Sequence, residues 1–187
     1  MKEKSRSRRT IRAVGAVALL AVAVWVISLI AESFGFMPFA SYEKRAVRFA
    51  ARCAPQWEAA LEELAAAGGE AERGESMPDR LKGIFGIDRT LSEIWLNGEN
   101  EACFRFEWYI TGPEKDTYVY WQKNDDFRKL SAVEQIMSWH EQYGEQIETE
   151  ETENGFRLTG FGMGKKGYLH ITRLRPCWFI AEGYNPT

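Results

Sequence analysis

Histidine and cysteine are scarce in this chain of 187 residues, which has 2 of the first and 3 of the second. No HExxH and no paired His/Cys spacing occurs, which argues against a zinc site. Cys53, Cys103 and Cys177 are an odd set and allow one internal disulfide at most. Cys103 and Cys177 fall on strand candidates and are the pair to test, against the alternative of three free, buried thiols. No GxxxxGKS/T loop is present. The glycine-bounded stretch Gly162–Gly167 carries Lys165 and Lys166, but it joins two strand candidates instead of preceding a helix. Glu145, Glu148, Glu150, Glu151 and Glu153 lack the spacing of a calcium loop and suit a solvated hairpin. No metal and no cofactor is expected.

Positive charge is thin beyond residue 12. Residues 1–12 hold six basic groups and one acidic, or +5, within a total of −3, so the remainder carries −3 − 5 = −8. An acidic domain of that size repels phosphates, and nucleic acid is excluded as its main partner.

No charge at all falls between Arg12 and Glu32. The run Ala13–Ala31 is 19 residues of mostly apolar side chains, and as a helix it would reach about 28 Å, close to the hydrocarbon thickness of a bilayer. Six basic residues before it place the N-terminus in the cytoplasm and the C-terminal domain outside. A cleaved signal peptide fits less well. Cutting after Ala31 puts Leu29 at −3, and cutting after Ala40 puts Pro38 there, where a small residue is needed. The expected organisation is a basic tail at 1–12, a transmembrane signal-anchor at 13–31, a connector at 32–40 and an extracytoplasmic domain at 41–187. The expected location is the cell membrane, single-pass.

Helical spacing opens the domain, with a helix from Tyr42 to about Cys53 and a second beyond Pro55 carrying Trp57, Ala60, Leu61 and Leu64, stopped at Gly68-Gly69. Residues 68–80 read as loop. The period then becomes two. Leu91–Leu96, Ala102–Ile110 and Thr117–Gln122 predict an antiparallel meander. Ser131 and Glu134 have capping-box spacing ahead of an amphipathic helix that ends at Gly144. Gln146–Glu151, Phe156–Phe161, Tyr168–Leu174 and Cys177–Glu182 predict further strands. Phe104-Arg105-Phe106 and Phe156-Arg157-Leu158 echo each other faintly. The fold class is α+β, a mostly antiparallel curved sheet packed by about three helices. Its element order is similar to that of cystatin-like and cone-like folds, by analogy of order alone.

Surplus aromatics are the main functional signal. Tyr109, Tyr118, Tyr120, Trp121, Tyr168 and Trp178, with Phe179, cannot all point inward on alternating strands. Part of the set should form a platform or pocket for a ligand or partner protein, unless helices cover both faces of the sheet. The stripe Lys44, Arg45, Arg48 and Arg52 follows the membrane run closely and would rest on lipid headgroups, or else be a solvated face. His140, beside Ile136 and Met137 in helical spacing, is the one candidate general base, with Glu107 or Glu141 as its carboxylate. Without a catalytic motif, a membrane-tethered binding or interaction module is expected over an enzyme or a structural subunit of a membrane complex.

Overall fold

The computed structural model describes residues 14–28, 42–74, 77–107, 116–144 and 146–184. The chain divides into two units. The first comprises Met1–Ala40 with Trp108–Ile110, and the second comprises Ser41–Glu107 with Thr111–Thr187. In the first unit residues 14–28 form helix α1. Its fifteen residues reach about 22 Å, short of the roughly 30 Å of a hydrocarbon layer. Among the described residues no helix is long and apolar enough to cross a membrane. The tail at 1–12, the connector at 32–40 and both ends of the uncharged run lie outside the described residues.

Helix α2 runs unbroken over Tyr42–Ala66, with Pro55 inside it. This corrects the expected break. A proline in a helix interior costs about 3 kcal/mol. The buried stripe continues straight through it, however, as Ala46, Phe49, Ala50 and Cys53 and then Trp57, Ala60 and Leu64. Burial of each large side chain is worth about 1.5–3 kcal/mol, so Trp57 and Leu64 alone offset the proline, whose ring lies on the exposed side. The glycine stop holds: Gly68 and Gly69 have φ of 97° and 89°, and the Gly69 N–H donates to the Leu64 carbonyl at 2.8 Å.

The stretch expected as loop contains a short strand, β1 (Glu70–Glu72), and runs into a nine-residue helix, α3 (Asp79–Ile87). Gly83 and Gly86 hide α3 from sequence propensity. Its buried Leu81, Ile84 and Phe85 supply the packing that forms it.

The strands are β2 (Leu91–Asn97), β3 (Glu101–Phe106), β4 (Asp116–Gln122), β5 (Glu148–Thr152), β6 (Gly155–Phe161), β7 (Gly167–Arg175) and β8 (Trp178–Tyr184). One eight-stranded sheet takes them all in the order β1-β2-β3-β4-β8-β7-β6-β5, with every pairing antiparallel. Two four-stranded meanders thus meet at a β4–β8 seam. The sequence echo falls on β3 and β6, which are not equivalent in the two meanders, and so marks no repeat. Glutamates occupy both edge strands, Glu70 and Glu72 on β1 and Glu148, Glu150 and Glu151 on β5, where charge discourages further strand pairing.

Helix α4 (Ser131–Tyr143) links β4 to β5 and ends at Gly144, whose φ is 64°. The two sheet faces carry different helices. Cys103, Tyr120 and Phe179 lie in one cross-strand row and pack with Leu130 and Val133 on the α4 side. Their neighbour Phe104 points the other way and meets the rings of Phe49 and Trp57 on α2 at 5.3 and 4.9 Å.

A buried ion pair fixes α2. Arg45 is 6% exposed, and its Nε and Nη2 donate to the two carboxylate oxygens of Asp88 at 2.6 and 2.5 Å. Asp88 also accepts from the Thr90 N–H and hydroxyl at 2.9 and 2.7 Å. Burial alone would raise the Asp88 carboxyl, but the hydrogen bonds from Arg45 and Thr90 outweigh it and hold it below its ordinary value. A lowered folded-state pKa stabilises above the unfolded value of about 3.9, and that contribution is lost as pH falls through the folded value. Asp88→Asn should therefore cost about 3 kcal/mol at pH 7, from stranding a buried guanidinium. Chemical denaturation of both proteins at pH 7 and pH 3 checks this; a gap that does not narrow in acid would refute the charge-based account.

Candidate functional site

A cavity of about 570 Å³ lies between α4 and the sheet. Alternation on β4 places Tyr118 and Tyr120 on its floor, and β2 adds Trp95 and Asn97. The Trp95 and Tyr118 rings meet edge to face at 6.0 Å. On α4, Gln135 and Trp139 are one turn apart and line the helix wall with Ile136. Trp139 is 42% exposed, so the cavity is reached from solvent along this wall. Tyr168 and Leu169 from β7 and Phe161 from β6 complete the far side.

Phe161 reaches that side because β6 changes register. Phe156 and Leu158 belong to the α4-side core, and strict alternation would send residue 161 to the opposite face. A bulge between Thr159 and Phe161 restores it. Gly160 sits there with φ of 90°, and a Cβ on it would stand 3.1 Å from the Gln146 carbonyl oxygen. A side chain there would be strained on both counts.

The N-terminus of α4 is held by the sheet instead of by a capping box, which corrects the Ser131/Glu134 reading. Glu101, 4% exposed at the start of β3, accepts from the Ser131 N–H at 2.8 Å and from its hydroxyl at 2.6 Å. Asn97 Nδ2 donates to the same carboxylate at 2.7 Å. A carboxylate at a helix N-terminus also matches the helix dipole. Because Glu101 and Ser131 are 30 residues apart, no local spacing announces this cap.

The sequence-nominated aromatics divide between the two faces. Tyr118, Tyr120 and Tyr168 line the cavity. Trp121 and Trp178 lie on the other face, each ring meeting that of Trp57, at 5.9 and 6.2 Å; Trp178 belongs to the α2-side core and Trp121 packs half-buried against it. Phe179 is fully buried on the α4 side, and Tyr109 lies outside the described residues. Trp95 and Trp139, which line the cavity, were not nominated; their signal was the apolar phase of β2 and α4.

His140 is not among the lining residues. It stands in the last turn of α4 with Nδ1 buried and unpartnered. Glu141 is exposed, and Glu107 lines a separate hollow of about 300 Å³ with Arg73 and Arg89. The cavity therefore does not assemble the expected acid–base pair. Among the described residues no group of three or more His, Cys, Asp or Glu side chains could hold a metal ion.

The basic stripe is not one surface. Lys44 and Arg48 are exposed, Arg45 is consumed by Asp88, and Arg52 donates to the Ile87 carbonyl at the end of α3 at 3.3 Å. Spacing alone put Arg45 with the others, yet it shares the buried side of α2 with Ala46 and Phe49.

Cys103 and Cys177 do not pair, and all three thiols are free. Strand β4 lies between β3 and β8, and Tyr120 occupies the position beside Cys103. Burial pushes the Cys103 and Cys53 thiols up. Burial likewise raises Tyr120, with the neighbouring Cys103 adding to the effect. Cys177 is half-exposed in the β7–β8 turn with φ of 65°. A thiol reagent such as maleimide, followed by mass spectrometry, should label Cys177 on the folded protein and the other two only after denaturation; early labelling of Cys103 would contradict this burial. Glu101→Ala should lower stability by about 2 kcal/mol, since it leaves the Ser131 N–H without its acceptor and the Asn97 amide with only the Ser131 hydroxyl, and thermal unfolding measures it. No known family, no curated protein and no solved structure matches the chain, so the function of the cleft is read from its own geometry and the cystatin-like or cone-like analogy stays one of element order.

Proposed function

We propose that the protein is a single-pass membrane-anchored binding module whose outer domain takes a ligand into the cleft between α4 and the sheet. The observation that carries this reading is the aromatic-lined cavity of about 570 Å³. Its volume is within the range of small-molecule sites, and its lining of apolar rings with a few polar groups is typical of them. The solvent-reachable Trp139 beside Tyr118 and Trp95 gives rigid contact area at low entropic cost. The anchor rests on the uncharged run at 13–31 and the six basic residues before it. Only residues 14–28 of that run fall in the described helix.

The domain would face outward, with lipid on one side and a small ligand or partner protein as its occupant. The enzyme alternative has no supporting geometry at His140, and nothing in the domain favours the structural-subunit alternative over a plain anchor.

Two measurements test the proposal. Protease added to intact cells should cut the domain while a membrane-embedded fragment persists; a shorter released protein, or protection until lysis, would refute the topology. Full-length protein labelled with 5-fluorotryptophan, in lipid nanodiscs, should show joint ¹⁹F shifts of Trp95 and Trp139 with members of a neutral fragment library, and Ala132→Arg on the cleft wall should abolish them. Shifts that survive that substitution would place binding elsewhere.

A further inference from the structure

Charged residues make up 27% of the chain, yet among the described residues none lines the cleft. A carboxylate or ammonium ligand entering it would lose hydration without meeting an opposite charge on the described lining, which opposes binding. The occupant is therefore uncharged where it is held.

The lining narrows the class further. Asn97, Ser131 and Gln135 and the tyrosines Tyr118 and Tyr168 interrupt the apolar surface. Asn97 and Ser131 are already bonded to Glu101, but the exposed Gln135 amide would lose water to a purely hydrocarbon ligand and gain no hydrogen bond in return. A peptide strand has nowhere to pair, because the floor strands β4 and β8 already have neighbours on both sides. What fits is a compact ring system with flat apolar faces and hydroxyls on its rim. On α4 the flat indole of Trp139 and the amide of Gln135, one turn apart, offer such a ligand a stacking surface with a neutral hydrogen-bonding group beside it.

We propose that the cleft binds a neutral saccharide, with a sugar ring stacked on Trp139 and its hydroxyls held by Gln135. This inference rests on the binding-module reading of the same cleft and adds the ligand class.

The test uses full-length, 5-fluorotryptophan-labelled protein in lipid nanodiscs, with maltotriose, cellotriose and chitotriose as neutral probes. Trigalacturonate serves as the charged counterpart, and a neutral tripeptide and a neutral aromatic fragment as other classes. At least one neutral trisaccharide should move the Trp139 resonance saturably, with trigalacturonate much weaker. Gln135→Ala should weaken binding about fivefold, the worth of one hydrogen bond, and Trp139→Ala should weaken it more, read through the Trp95 resonance. Both positions are exposed, so the variants should keep the wild-type melting temperature. If the tripeptide or the aromatic fragment binds and no trisaccharide does, the saccharide inference is overturned while the binding reading stands. If trigalacturonate binds as well as the neutral sugars, the inference is again overturned. If nothing moves Trp95 or Trp139, both fall together.

Discussion

Asp88 is where three separately formed pieces of the fold become one object. Its carboxylate takes the guanidinium of Arg45 from α2 and the N–H and hydroxyl of Thr90 at the entrance to β2. Its carbonyl takes Arg73 from the end of β1 at 3.0 Å. A buried charge tolerates little displacement from its partner, because separation restores the desolvation cost without the Coulombic return. The pair thereby fixes where α2 lies against the sheet. Phe49 and Trp57 meet Phe104 and Trp178 with the geometry that results.

The opposite face uses the same device. Glu101 gathers the start of α4 as Asp88 gathers the start of β2, and each is a buried carboxylate satisfied by donors from distant elements. The consequences differ. On the α2 side the contact is filled by large rings. On the α4 side only the Val133 edge of the helix sits down fully, and the Gln135–Trp139 edge stands off over the tyrosines of β4. A helix held at one end and packed along one edge leaves a wedge of space, and the cleft is that wedge.

Much of this was legible in advance, for physical reasons that can be named. β2 through β4, α4 and its glycine stop follow from period and punctuation, which are local. Pro55 misled because local helix cost was set against a packing gain visible only in three dimensions. β1 and α3 were missed because their sequences are polar or glycine-bearing and their partners are far away. The split of the aromatics on β4 and β8 followed alternation, and the doubt over covered faces resolved differently on each: Trp178 is core with Trp121 packed at its side, while Tyr118 and Tyr120 border a cavity; Tyr168 borders it too, although its β7 neighbour Leu169 does the same. Arg45 and Glu101 were beyond reach, since nothing in a charge's own neighbourhood states that it will be buried.

The seam between β4 and β8 bears on how the protein can be made. β8 (Trp178–Tyr184) is the last of the eight strands in chain order, and it is the strand that closes the middle of the sheet. Until it is synthesised, β4 presents an open edge and the second meander has no place to join. Closing that seam brings together segments far apart in the chain, a slow step that leaves unpaired strands exposed meanwhile. Damage to β8 therefore acts on the centre of the fold, and a chain without that strand is two half-sheets waiting for a chaperone or a protease.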